Sequence, residues 1–225
     1  HGSREQAVAE LVKRIRSAGG DAFSLQADFR SSQAVAETVE EVAAHFGRLD
    51  ILINNAGSMV GRRRLAEVDD DFIDQVFDLN ARSVATACRA CLPIFSQQKS
   101  GCIINVSSIS ARTGGSPGSS IYSASKAFVS TLTRSLAREL ADQHIRVNAI
   151  SPGPMKTLAG AAIGGARKTF KHTDTNAPLR SNATLEAVGG TAVYLVSDAG
   201  ACTTGEIIRV DGGFHVLGMP QQENL

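Results

Sequence analysis

Apolar residues along this chain follow two spacings that alternate from one end to the other. Short, nearly continuous apolar runs predict buried strands, and longer segments in which apolar residues return every three or four positions predict amphipathic helices. The predicted strands cover residues 21–28, 49–57, 101–108, 145–151 and 205–213. The predicted helices cover residues 4–20, 29–47, 69–98, 121–141 and 184–198.

The alternation of strands and helices predicts the architecture. Parallel strands joined by helices form right-handed crossovers, so we expect an α/β protein with a doubly wound parallel sheet. Residues 1–225 fit a single domain. An irregular stretch is expected from Pro152 to about Ser181, and within it residues 158–176 are expected to form a substrate lid. Residues 216–225 form a polar tail.

Composition narrows the range of partners. A formal net charge of +1 with 20% charged residues argues against a nucleic-acid partner. No apolar stretch approaches the roughly 18 residues of a membrane span, and no leader pattern opens the chain, so we expect a cytoplasmic protein without membrane contact. "CRAC", with Cys88 and Cys91, lies inside a helical pattern and has no second pair at ligand spacing. All four cysteines are interpreted as small buried apolar side chains, and no metal is expected.

Polar or small residues follow the predicted strands. They are Asp28 and the segments 54–57, 107–108 and 151–153. Ligands of doubly wound sheets bind in the crevice beyond the carboxyl ends of the strands. The recurrence therefore predicts a site at this edge of the sheet, with Ser108 beside the start of the helix that contains Tyr122.

Tyr122 and Lys126 stand four positions apart in "YSASK". Side chains at this spacing share a helix face, so the phenol and the ammonium can act on one ligand. A nearby cation favours the phenolate and lowers the pKa of a tyrosine, which suits proton transfer at neutral pH. An isolated Tyr-x-x-x-Lys also arises by accident, as a half-buried ring beside a solvent-facing lysine. The other motifs must decide between these interpretations.

Six ordered motifs carry a resemblance to a known family: "NNAG", the asparagine of "DLN", "NVSS", "YSASK", "VNAISPG" and "VDGG". From Asp21 to about Phe214 the chain resembles the short-chain dehydrogenase/reductase family, and most of all its 3-oxoacyl-carrier-protein reductases. The resemblance implies a Rossmann-like fold and the NAD(P)-dependent interconversion of a carbonyl and a secondary alcohol by hydride transfer. A 3-oxoacyl thioester is one candidate substrate, and a sugar or another secondary alcohol is the alternative.

The resemblance also implies roles for four catalytic residues. Tyr122 would exchange a proton with the substrate oxygen, and Ser108 would hydrogen-bond that oxygen. Lys126 would lower the pKa of Tyr122 and hold the hydroxyls of the nicotinamide ribose. Asn80 would hold a water that links Lys126 to solvent, and a solvated helix position is the alternative for this residue.

The cofactor contacts implied by the resemblance lie at the strand ends. Asp28 would meet the adenine, although it also fits a simple strand end, and "NNAG" would pass the adenosine side. The turn after "VNAIS" would border the nicotinamide. The implied contacts are Asp28, Phe29, Asn54, Asn55, Ala56, Gly57, Tyr122, Lys126, Pro152, Gly153 and Thr157.

One family feature has no counterpart in the sequence. Family members begin with a strand, a glycine-rich turn, a helix and a second strand, and neither "TGGSPGSS" nor "AIGGARK" follows a strand and opens a helix as a pyrophosphate site must. We therefore expect an incomplete copy of a larger enzyme without its first βαβ unit. The strand at 21–28 would lose its neighbour, and the strand ending near Ile53 would have an unpaired apolar edge.

Both NAD and NADP are candidates, and Arg4 favours NADP because a guanidinium suits a 2′-phosphate, although a solvated arginine is the alternative.

Charged residues and helix faces rich in small residues suggest two kinds of partner, a carrier protein and further copies of this chain. A group of basic residues suggests an acidic acyl carrier protein as a partner, and ordinary solvated charge is the alternative interpretation. The group comprises Arg62 to Arg64, Arg167, Lys168 and Lys171. Faces rich in Ala and Ser around Asn80 and after Tyr122 suggest a homodimer or homotetramer, as in the family.

"APLRSNATLEAV" departs from the family pattern on the substrate side, with Thr184 as a helix N-cap. A non-catalytic truncated member and an epimerase or dehydratase are the alternative functions.

Overall fold

The computed structural model describes residues 2–157 and 166–217. Its helices are α1 (Gly2–Ser17), α2 (Ser32–Phe46), α3 (Asp70–Phe77), α4 (Ser83–Gln98), α5 (Ser110–Thr113), α6 (Ser120–Glu139), α7 (Ala166–Asn176) and α8 (Leu185–Val196). Its strands are β1 (Ile51–Asn54), β2 (Gly101–Val106), β3 (Ile145–Pro152) and β4 (Ile207–Val210). One π-helical turn, Asp78–Arg82, joins α3 to α4.

The four strands form one parallel sheet in the order β1-β2-β3-β4. Asn54 stands opposite Asn105, and Val106 stands opposite Ile150. This register brings the carboxyl ends of the first three strands to the same edge. The predicted α/β class with a parallel sheet is confirmed.

Two apolar clusters cover the two faces of the sheet. On one face, the central strands pack against α2, α4 and α6, and Phe95 and Ile103 are fully buried there. On the other face, Ile104 and Ile150 pack against Leu195 of α8. β2 and β3 are therefore buried on both sides, as continuous apolar runs predict.

β1 differs from the other strands because it lies at an edge. Leu52 packs against the larger cluster, but Ile51 is 40% exposed and Ile53 is 50% exposed. The prediction of burial on both faces is wrong for this strand, because no described element covers the side chains of Ile51 and Ile53. The expected unpaired apolar edge is present among the described residues, where β1 pairs only with β2.

Residues 21–28 form no strand, and the prediction of one there is wrong. A strand needs a partner for its backbone groups, and no described strand lies beside this segment. Its apolar side chains pack on a helix instead. The ring of Phe23 lies 4.3 Å from that of His45 and 5.6 Å from that of Phe46, measured between centroids.

The stretch expected to be irregular contains a helix. α7 is polar along most of its length, but Thr173 and Ala177 are buried and Phe170 is half-buried. Their spacing of three and four places them on one helix face, which the scarcity of apolar residues hides in the sequence. Within the expected lid, residues 158–165 lie outside the described residues, as do residues 218–225 of the expected polar tail.

Three further expectations from the sequence concern a helix N-cap, the burial of the cysteines and membrane-spanning helices. Thr184 is the N-cap of α8, and its hydroxyl accepts a hydrogen bond from Ala187 N at 3.1 Å, as expected. Cys88, Cys91 and Cys102 are buried, but Cys202 is exposed, so the interpretation of all four as buried is wrong. No helix within the described ranges is both long enough and apolar enough to cross a bilayer.

Candidate active site

Backbone hydrogen bonds join the strand ends that carry the predicted site. After β2, Ser107 N donates to Ile150 O at 2.8 Å, and Ile109 N donates to Pro152 O at 3.0 Å. The residue between them, Ser108, is thereby held next to the end of β3. Tyr122 lies in the first turn of α6, which packs along β2 and β3.

Ser108 and Tyr122 are both half-buried, and the side chain of Ser108 lies beside the phenol of Tyr122. Burial raises the pKa of Tyr122, and the neighbouring Ser108 acts in the opposite direction. The lowering of this pKa expected from Lys126 is not found, and burial is the largest cause of the shift. The structure thus brings the two predicted residues together but contradicts the electrostatic expectation.

Lys126 is only 3% exposed, one helical turn beyond Tyr122. Its Nζ donates to Val106 O at 2.8 Å. Burial lowers the pKa of Lys126 to about 8. The alternative of a solvent-facing lysine is wrong, because Lys126 is buried.

The pH dependence of stability tests the burial of Lys126. An unfolded lysine has a pKa near 10.4, whereas folded Lys126 has a pKa of about 8. Between these values the unfolded chain binds a proton that the folded protein does not, so stability rises with pH. We expect the free energy of unfolding of the wild type, relative to Lys126→Met, to rise above pH 8 by up to about 1.4 kcal/mol per pH unit.

Urea denaturation between pH 7 and 9.5 measures this difference, below the range in which Tyr122 ionises. Lys13→Met changes an exposed lysine of α1 and is the matched control. It should leave the slope of the wild type unchanged. Parallel curves for the wild type and Lys126→Met would show that Lys126 does not release its proton on folding.

Asn80 lies in the π-helical turn and is fully buried. Its Nδ2 donates to Ser58 O and to Val76 O, each at 2.8 Å, and its Oδ1 accepts from Ser58 N at 3.1 Å. The side chain therefore fastens the loop after β1 to the helix. The alternative of a solvated helix position is wrong, and the π turn, which no sequence pattern indicated, places Asn80 on the inner side.

Gly57, Asn80 and Lys126 meet at one point. A Cβ atom on Gly57 would lie 2.8 Å from Asn80 Oδ1 and 3.0 Å from Lys126 Nζ. Glycine is required here by close approach of two buried polar side chains, and not only by the approach of a ligand to the backbone. The glycine of "NNAG" thus packs against two of the predicted catalytic residues, Asn80 and Lys126.

The first asparagine of "NNAG" points into the sheet. Asn54 Nδ2 donates to Asn105 Oδ1 at 2.9 Å, and Asn105 Nδ2 donates to Thr133 Oγ1 at 2.9 Å. Asn105 and Thr133 are fully buried. This network fixes β1 to β2 and α6, so the side chain of Asn54 supports the turn while its backbone borders the crevice.

Four of the residues expected on the adenosine side line one groove of about 250 Å³. They are Phe29, Asn54, Asn55 and Ala56. Asp28, the neighbour of Phe29, is exposed, and both of its carboxylate oxygens accept hydrogen bonds from Arg30. These hydrogen bonds lower the pKa of Asp28 to about 2, so it carries its charge at any pH near neutral.

The turn after β3 closes the other side of the crevice. Gly153 N donates to Val210 O at 2.9 Å, and a Cβ atom on Gly153 would lie 2.8 Å from Asp211 Cβ. Asp211 is buried, and its carboxylate accepts hydrogen bonds from Gly213 N and His215 N at 3.0 Å each. Thr157 lies four residues beyond Gly153, and its N donates to Met155 O at 2.9 Å.

The residues at these strand ends fit the nicotinamide half of NAD(P). Lys126 Nζ carries three N–H groups, and Val106 O is its one acceptor among the described side chains and backbone, so two donors are available for ribose hydroxyls. A side chain at Gly57 would meet Asn80 and Lys126, and one at Gly153 would meet Asp211. The glycine-rich turn that would hold the pyrophosphate has no counterpart in the part of the chain that the structure describes.

Comparison with known proteins agrees with this geometry. The model of the family described as enoyl-(acyl carrier protein) reductase matches residues 2–215. A 3-oxoacyl-[acyl-carrier-protein] reductase of Staphylococcus aureus is 35% identical over 215 residues, which are 96% of this chain and 85% of the relative.

Two solved structures share the fold closely. A gluconate 5-dehydrogenase from Burkholderia cenocepacia, in complex with NADP and tartrate, has a TM-score of 0.86 at 26% identity, over 95% of this chain and 83% of the other. A 3-ketoacyl-(acyl-carrier-protein) reductase from Brucella melitensis, complexed with NADH, has a TM-score of 0.82 at 28% identity. The match covers 91% of this chain and 84% of the other. This protein is an enzyme of the oxidoreductase class and belongs to the short-chain dehydrogenase/reductase family.

Proposed function

We propose that this enzyme interconverts a carbonyl and a secondary alcohol by hydride transfer with NAD(P), with Tyr122 as the acid/base. The observation that carries the proposal is the position of Ser108 beside the phenol of Tyr122, one helical turn from the buried Lys126. A hydroxyl donor, a phenol and an ammonium on the same side of a parallel sheet suit proton transfer to an oxygen that develops negative charge.

The bound nicotinamide supplies or accepts the hydride. In the reductive direction Tyr122 donates its proton to the substrate oxygen, and Ser108 donates a hydrogen bond to the same oxygen. Lys126 holds the ribose hydroxyls through the N–H groups that Val106 O leaves available. Asn80, whose side chain is committed to Ser58 and Val76, acts by holding the loop after β1 and a water beside Lys126.

Either NAD or NADP serves as the cofactor of this proposal. Solved relatives contain NADH in one case and NADP in another. Phe29 and residues 54–57 would border the adenosine, with Asp28 at the adenine edge, and Pro152, Gly153 and Thr157 would border the nicotinamide. Arg4, which favours NADP, has a side chain outside the described residues.

A steady-state assay tests the proposal. The protein is mixed with NADH or NADPH and with a panel of carbonyls that includes a 3-oxoacyl thioester and ketosugars, and the loss of nicotinamide absorbance is followed. We expect loss of absorbance with at least one carbonyl. A protein that binds NAD(P)H but oxidises none of it with any carbonyl or alcohol would contradict the proposal.

The substrate we favour is a 3-oxoacyl group on an acyl carrier protein, and the runner-up is a sugar or similar secondary alcohol. The reductase relative from Staphylococcus aureus supports the first, and the gluconate 5-dehydrogenase supports the second. Arg63 is a weak candidate for carrier binding, because it donates to Asp69 at 3.0 Å and stacks over Phe72. Lys168 and Lys171 are exposed on α7 and present charge to an acidic partner.

Charge reversal on α7 distinguishes these substrates. Lys171→Glu should raise KM for a carrier-linked 3-oxoacyl substrate by about threefold to tenfold, the effect of one charge at an exposed interface. It should leave KM for a small free thioester unchanged. Lys99→Glu, on the far side of β2 at the end of α4, is the control. Equal changes of KM for both substrates would exclude carrier binding at α7.

Assembly as a homodimer or homotetramer belongs to the same proposal. Phe128, on the outer face of α6, is exposed and gives this face an apolar contact point. The faces of α4 and α6 rich in Ala and Ser would allow helices of two subunits to approach closely.

A further inference from the structure

A short segment rich in glycine joins α5 to α6, the helix that carries Tyr122. It covers residues 114–119 and is called the glycine segment below. Three of its residues are glycines with a positive φ: Gly114 at 76°, Gly115 at 69° and Gly118 at 82°. Glycine restricts the backbone less than any other residue. Contacts with neighbouring elements are therefore important for holding this segment in one place.

Arg62 reaches the glycine segment from the loop after β1, which covers residues 55–64. Its Nη1 donates to Ser116 Oγ at 2.5 Å and to Pro117 O at 3.3 Å. This nitrogen carries two hydrogens, so both bonds can form at once. The backbone adds a third contact, since Arg63 N donates to Gly118 O at 3.1 Å. Three hydrogen bonds thus join the loop after β1 to the glycine segment.

The loop after β1 is itself anchored, so it can support another segment. Near its start, both backbone groups of Ser58 are hydrogen-bonded to the side chain of the buried Asn80. Near its end, Arg63 Nη1 donates to Asp69 Oδ2 at 3.0 Å, and Asp69 is the N-cap of α3. The side chain of Arg63 is thus committed to α3. Among the described residues of this loop, Arg62 alone has a side chain that is hydrogen-bonded to the glycine segment.

The glycine segment is bonded in turn to the start of α6. Ser119 immediately precedes this helix, and its N and Oγ both donate to Ser116 O, at 3.1 Å and 2.5 Å. Ser123 N donates to Ser119 O at 2.8 Å, and Ser123 Oγ donates to Gly114 O at 2.8 Å. Tyr122 lies between Ser119 and Ser123 in this turn. A shift of Ser116 would therefore be passed on to the turn that carries Tyr122.

We propose that Arg62 is a positioning residue, which holds the glycine segment against the loop after β1 and thereby fixes the turn that carries Tyr122. This inference rests on the proposed function of Tyr122 as the acid/base. The Nε of Arg62 is shielded from solvent and has no acceptor among the described residues. A buried donor without an acceptor lowers stability, whereas the bonds of Nη1 hold a segment beside the site. This balance favours a positioning role over a purely stabilising one.

Kinetics of three variants test the proposal. Arg62→Ala should lower kcat by about threefold to tenfold and leave the KM for NAD(P)H unchanged, because small displacements of an acid/base slow the chemical step. Arg62→Lys should restore kcat to within about twofold of the wild type, since one nitrogen makes both bonds and an ammonium has three donors. Arg64→Ala removes an exposed arginine of the same loop and should match the wild type. Equal kcat values for Arg62→Ala and the wild type would overturn the proposal.

A double-mutant cycle tests whether Arg62 acts through the glycine segment. Ser116→Ala removes the nearer acceptor and keeps Pro117 O, so it should lower kcat less than Arg62→Ala does. Added to Arg62→Ala, it should cause little further loss, because the donor to Ser116 is already gone. Fully additive losses would show that the two residues act independently, and the proposal would then be wrong.

Amide hydrogen exchange, followed by mass spectrometry, gives a readout that does not depend on turnover. Peptides that cover residues 114–123 should exchange faster in Arg62→Ala than in the wild type, and at the wild-type rate in Arg64→Ala. Unchanged exchange of these peptides in Arg62→Ala would overturn the proposal. If the wild type oxidises no NAD(P)H, the proposed function fails, while the exchange still decides whether Arg62 holds the glycine segment.

Discussion

Replacement of Tyr122 by phenylalanine is expected to lower kcat by about 10²- to 10⁴-fold, the usual contribution of a positioned acid or base. The ring of Tyr122 is half-buried, and its phenol lies beside Ser108. Phenylalanine keeps the ring and removes the phenol oxygen. The proton source is therefore lost, while the packing at the start of α6 is kept.

Cofactor affinity should change by no more than about twofold in Tyr122→Phe, because a transition-state interaction is the one removed. Fluorescence titration with NADPH or NADH measures this affinity beside kcat. Tyr194→Phe is the matched control, since Tyr194 bonds Thr203 on the far side of α8 and should keep full activity. A Tyr122→Phe enzyme that retains more than about a tenth of the wild-type kcat would remove Tyr122 from the mechanism.

The second large effect is expected for Gly57→Ala. Its added Cβ would meet Asn80 Oδ1 at 2.8 Å and Lys126 Nζ at 3.0 Å, and both of these side chains are buried. Neither has open space to move into, so the loop after β1 must shift. Overpacking of this kind costs about 1–3 kcal/mol of stability. Displacement of Lys126 should also reduce kcat by at least about tenfold, because small misplacements at an active site have large effects on rate.

A second glycine provides the control for Gly57→Ala. Gly190 lies within α8, and a Cβ there would have no neighbour within 4 Å. Gly190→Ala should be neutral or stabilising by up to about 1 kcal/mol, since alanine is the better helix former. Thermal unfolding and kcat of the two variants are compared. A Gly57→Ala protein as stable and active as Gly190→Ala would contradict the packing of Gly57, Asn80 and Lys126 described above.

Strand ends and helix periodicity were sufficient to predict the parallel sheet and to bring together three of the four catalytic candidates, whose roles come from the resemblance. Ser108, Tyr122 and Lys126 follow from position alone, since parallel strands direct their carboxyl ends to one edge and a spacing of four shares a helix face. Asn80 was chosen by resemblance, and its burial depends on the π turn Asp78–Arg82, because backbone hydrogen-bond patterns of this kind have no signature in residue type.

The failures have physical causes in tertiary structure. Residues 21–28 have the composition of a strand, but a strand also needs a partner for its backbone groups. The direction of the pKa shift at Tyr122 depends on desolvation, which the spacing to Lys126 cannot reveal.

The central claim is that Tyr122 and its neighbours support hydride transfer between a nicotinamide and a carbonyl carbon. The most direct test is mass spectrometry of the product formed with NADPH or NADH that carries deuterium at the transferable position of the nicotinamide. We predict one deuterium at the carbinol carbon of the product, formed at equal rates by the wild type and Tyr194→Phe and about 10²- to 10⁴-fold more slowly by Tyr122→Phe. Product without deuterium, or labelled product in equal amount from Tyr122→Phe, would contradict the claim.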